Sequence, residues 1–135
     1  VYLEKTKGKI VQYIEISGKS VQEVVDSIQE VASKYKFGVL HIHNIKETLK
    51  SKGIDFNNEC QILDVCNPVF AESLLSEDMS LSIIMPCKIS VYRQNGQTLI
   101  AMNSLVQLVD DINPDLIDLA QKAQEQLLRI IDEAK

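Results

Sequence analysis

The residues best suited to chemistry are two cysteines, each within two residues of a proline. Cys66 precedes Asn67-Pro68, and Cys87 follows Met85-Pro86. Asn67 can cap a helix with its side-chain oxygen, and Pro68 suits the first helical position because it has no N–H to leave unpaired. Cys66 therefore stands just ahead of a helix N-terminus, where free N–H groups and the helix dipole stabilise an anion and lower a thiol pKa. This makes Cys66 a candidate reactive thiolate or an anchor for an anionic ligand. Against this stands the usual role of a free cysteine, a small buried apolar group. Cys87 lies in an apolar run where Pro86 cannot donate to a strand ladder, so an edge or a bulge is expected there. If the strands around Cys66 and Cys87 are neighbours, the two thiols can form a disulfide, a dithiol couple or two metal ligands, or pack as core. A bridge needs Cα atoms within about 7 Å, which spacing alone does not fix.

His41 and His43 are two residues apart on an expected strand, hence on one face. Such a pair can chelate a transition metal, and with Met85 and the cysteines it would form a soft site suited to copper, zinc or haem iron. Phe37, Val39 and Ile45 are expected on the same face, so the pair can equally be packed or face solvent. Cys60 lies six residues before Cys66 on one strand and is read as structural. Asp64, on the Cys66 face, is expected to meet water. No Gly-x-Ser-x-Gly, P-loop or Gly-x-Gly-x-x-Gly occurs, so nothing marks the chain as an enzyme.

The elements that must position these residues follow from periodicity. Lys9 to Ser17 alternates as a half-buried strand. Ser20-Val-Gln-Glu23 is a capping box, and Val21, Val24, Val25, Ile28, Val31 and Ala32 form the apolar stripe of a helix running to Tyr35. Phe37 to His43 reads as a second strand. Asn44 starts a short helix, which Gly53 ends. Cys60 to Cys66 is a third strand and leads into the helix at Asn67-Pro68, which runs to about Ser76–Asp78. A fourth strand is expected from Leu81 to Arg93, with Ile83, Met85 and Cys87 pointing one way. Asn95-Gly96 demands a tight hairpin with positive φ at both residues, and Thr98 to Met102 returns from it. Ser104 to Ile112 is apolar without a clear period. Asn113-Pro114 opens a closing helix whose stripe includes Ala120, Ala123, Leu127, Ile130 and Ala134, with Gln124 on its polar face. Residues 1–9 are expected to be a loose lead or a short edge strand. The order β-α-β-α-β-α-β-β-α specifies one α+β domain over residues 1–135, with helices laid on a mostly antiparallel sheet.

Several of these segments carry a resemblance. Phe37-Gly38-Val39-Leu40, Ile62-Leu63-Asp64-Val65-Cys66-Asn67-Pro68, Met85-Pro86-Cys87, and Val91-Tyr92 before an Asn-Gly turn are similar to the bacterial and archaeal family known as domain of unknown function 302. The likeness covers about Ser20 to Lys135. It implies a TATA-binding-protein-like α+β topology and a homodimer, but no activity. The chain departs from the family pattern at His41-Ile42-His43-Asn44, where members carry acidic or hydroxyl residues, and in its longer polar lead.

The 135 residues carry a net charge of -5, which does not suit a phosphate-backbone partner, so no nucleic acid is expected. No apolar run approaches the roughly 20 residues that span a bilayer. Three cysteines, an odd number, favour a reducing compartment, so the cytoplasm is expected, with an exported form lacking its signal as the alternative. The expected function is a binding module that holds a small ligand at Cys66, Asn67 and Pro68, opposite Met85 and Cys87, with no cofactor assigned. The alternative is a metal, haem or redox protein that uses His41, His43, Cys66, Cys87 or Met85.

Overall fold

A computed structural model of the chain describes residues 2–135. Among the described residues six strands form one sheet in the order β1-β2-β6-β5-β4-β3. They are β1 (Tyr2–Thr6), β2 (Lys9–Ser17), β3 (Gly38–Asn44), β4 (Cys60–Cys66), β5 (Cys87–Gln94) and β6 (Gln97–Asn103). Every neighbouring pair is antiparallel. The helices are α1 (Val21–Lys34), α2 (Ile45–Ser51), α3 (Pro68–Glu77), α4 (Leu105–Ile112) and α5 (Ile117–Ala134). The architecture is α+β, as the periodicity specifies.

Alternation along the strands divides the sheet into two faces. Leu63, Val65, Ile89, Val91, Ile100 and Met102 are buried on one face. They join the stripe of α1 and Leu127, Ile130 and Ile131 of α5 in one core cluster. Each such side chain gains about 1.5–3 kcal/mol on leaving water, which is why the helices lie on this face. The opposite face carries Ile14, Ile16, Ile62, Ser90, Leu99 and Ala101, all half-buried.

Local signals set most element ends. Ser20 and Glu23 cap each other across the first turn of α1. Asn95 and Gly96 turn the β5–β6 hairpin at φ 52° and 75°. Gly53, at φ 79°, closes α2 as its N–H and that of Ile54 return to the carbonyls of Lys50 and Leu49.

Four expectations change. The strand placed at Leu81–Arg93 begins only at Cys87, because Met79–Ile84 is a 3-10 helix. Asp78 starts that helix by accepting from the N–H of Ser80 at 2.9 Å, and its other oxygen accepts from Asn113 at 3.0 Å. Pro86 thus precedes an interior strand and disturbs no ladder; its bond to Met85 is cis. The aperiodic Ser104–Ile112 stretch is α4, capped by Ser104. Gln124, expected on a polar face, is buried. It accepts from Ser104 Oγ and the Val106 N–H and donates to the Tyr13 hydroxyl. At the N-terminus, Tyr2–Thr6 takes the edge-strand alternative and pairs with β2.

Candidate functional site

Asn67 is buried and ties three elements together. Its Oδ1 accepts from the N–H groups of Val69 and Phe70 at 3.0 and 3.4 Å, and its Nδ2 donates to the Tyr35 carbonyl at 3.4 Å. The end of β4, the start of α3 and the end of α1 are thereby fixed around Cys66. Register places Val65 opposite Cys87, so the last residue of β4 and the first of β5 share one end of the sheet.

Cys66, Asn67, Met85, Pro86 and Cys87 line one small cavity of about 30 Å³, walled also by apolar residues including Phe37, Phe70 and Leu74. Pro68 lies outside it and is exposed. Burial, together with the neighbouring Cys66 thiol, pushes the Cys87 thiol up to about 11. All three cysteines are free thiols. Cys60 lies at the far end of β4, opposite Tyr92, where burial raises its pKa and a hydrogen bond with Ser90 opposes the rise.

On the other side of the Met85-Pro86-Cys87 segment is a larger cavity of about 240 Å³. Its walls include Ile84, Met85, Cys87, Met102, Leu108 and Leu127, with Lys88 and Asn103 also contributing. Ile83, also on its lining, is 83% exposed, and Met79 on the same 3-10 helix is 68% exposed. The segment is therefore a partition shared by two cavities.

The histidines lie elsewhere. His41 and His43 pack edge to face with ring centroids 4.3 Å apart, on the sheet face away from the core. The face-sharing expected with Phe37 and Val39 does not occur, because the β3–β4 register shifts between Val39 and His41. Phe37 is buried and Val39 packs on the core. His43 Nε2 lies 2.9 Å from Asp64 Oδ2, and Lys88 Nζ lies 2.6 Å from Asp64 Oδ1. Lys88 first, and His43 with it, hold the Asp64 carboxyl below its ordinary range. Asp64, expected to meet water, is nearly buried. Among the described residues no three His, Cys, Asp or Glu side chains are grouped to hold a metal ion. The sequence reading missed this Asp64–Lys88 pair. The signal was faint: a charged residue inside the otherwise apolar Ile62–Cys66 run.

Comparison with known proteins bears on the whole of this arrangement. No curated protein matches the chain. A crystal structure described as that of the uncharacterized conserved protein DUF302 from Bacillus stearothermophilus is 32% identical, covers 92% of this chain and 98% of its own, and superposes with a TM-score of 0.87. The sequence model of the family described as "Domain of unknown function DUF302" matches residues 13–134, and the chain belongs to that family.

Proposed function

We propose that this protein is a binding module that holds a small, largely apolar ligand against the Met85-Pro86-Cys87 partition. The observation that carries this is the 240 Å³ cavity on the far side of that segment. It exceeds the roughly 150 Å³ that suffices for benzene and lies just under the usual range for ligand pockets, about 300–1,000 Å³. The void beside Cys66 and Asn67 is too small for an organic ligand, so the ligand body belongs with Met85 and Cys87 rather than at the helix start. The test uses an apolar naphthylamine fluorophore. We expect saturable binding that Leu108→Phe, which narrows the cavity, weakens at least tenfold. Absence of saturable binding, or equal binding by that variant with its fold intact, would reject the reading.

Two further parts of this reading concern partners and place. The half-buried row Ile62, Ser90, Ala101 and Ile14 on the outer sheet face, apolar but for Ser90, supports a homodimer, because such a strip gains by meeting its own copy. Three free thiols support a cytoplasmic location. Among the described residues no three His, Cys, Asp or Glu side chains are grouped to hold a metal ion, which speaks against His41 and His43 as the centre of a metal or haem site.

A further inference from the structure

We infer that the small cavity between β4, α3 and the start of β5 is a site for one monovalent soft cation, Cu(I), held by the sulfur atoms of Cys66, Cys87 and Met85. This goes beyond organic-ligand binding and does not depend on it, since it concerns the other side of the partition.

The argument begins with size. The cavity is about 30 Å³, enough for a single ion or water and for nothing larger. Its chemistry is equally narrow. Two cysteines and one methionine are among its lining residues, and the remaining walls are apolar apart from Asn67. Asn67 is not a spare donor, because its oxygen caps α3 and its nitrogen bonds the Tyr35 carbonyl. Zn(II) prefers four ligands in a tetrahedron, and the cavity offers three, all sulfur. Thiolate and thioether donors select Cu(I).

Charge supports the same assignment. Cu(I) displaces one proton from Cys66 Sγ and one from Cys87 Sγ, while Met85 donates a lone pair and changes no charge. Two protons leave, copper stays Cu(I), and no oxidant or reductant takes part. The centre then carries one net negative charge. It sits where the ten-residue helix α3 presents its positive dipole end.

The experiment is an anaerobic titration of the whole chain with Cu(I) in competition with bicinchoninate, with proton release followed in weak buffer. We expect one copper per chain, with protons released as copper binds. Cys66→Ala and Cys87→Ala should each weaken binding at least 100-fold. Met85→Leu, which conserves volume, should weaken it roughly tenfold. Cys60→Ala should leave it unchanged. X-ray absorption on the wild-type complex gives a readout independent of any variant's folding, and three sulfur scatterers are expected. No uptake, fewer than three sulfur neighbours, or affinity lost in Cys60→Ala but kept in Cys87→Ala would overturn the assignment.

Discussion

Asp64 accepts from the Lys88 ammonium at 2.6 Å and lies 2.9 Å from the His43 ring nitrogen. Its folded-state pKa is depressed, so the pair stabilises the fold above the unfolded carboxyl value and stops doing so as pH falls through the folded one. Asp64→Asn should therefore cost about 1 kcal/mol at pH 7. The gap to the parent should close below about pH 4, as read from urea unfolding across a pH series. An equal gap at pH 7 and pH 3 would show that the charge is irrelevant. Cys87 makes a second prediction. With its thiol at about 11, iodoacetamide at pH 7.5 should leave it unlabelled in the native protein and label it after unfolding, as mapped by mass spectrometry. Cys66 and Cys87 were legible in the sequence because each stands within two residues of a proline. The Asp64–Lys88 contact was not, since it depends on the pairing of Asp64 with Lys88 across β4 and β5.

Among the elements, α3 and the β5–β6 hairpin rest on single residues. Asn67→Ala removes the cap of α3 and the bond to Tyr35 together. A loss of about 2 kcal/mol is expected, measurable as a lower urea midpoint at unchanged slope. Gly96→Ala should cost about 1 kcal/mol, because an L side chain at φ 75° meets the following carbonyl. Both features were legible because a cap and a two-residue turn are local chemistry. The Met79–Ile84 segment was not. Its apolar residues suit a strand, but Asp78 closes a 3-10 turn on Ser80 and is held by Asn113, 35 residues away. The bulge between Val39 and His41 likewise leaves no mark in the alternation of β3, and it is what separates the histidines from Phe37.

Across the whole molecule, Gln124 joins β2, α4 and α5 through the Tyr13 hydroxyl, the Val106 N–H and the Ser104 hydroxyl. Gln124→Ala would take this partner from the Val106 N–H and the Tyr13 hydroxyl and should cost about 2–3 kcal/mol, seen as a lower Tm. The class of fold followed from the order of elements, because each stripe and each alternation calls for a covered face. The sheet order did not, since it arises from long-range pairing such as β2 with β6. The same order leaves β1 and β3 outermost. β3 carries an extra residue, Leu40, between Val39 and His41, whereas the break beside β1 puts its extra residue, Val11, in β2. A kinked margin is a poor template for a further strand. The β3 flank of the sheet thus resists the edge-to-edge stacking of identical copies from which fibrils grow.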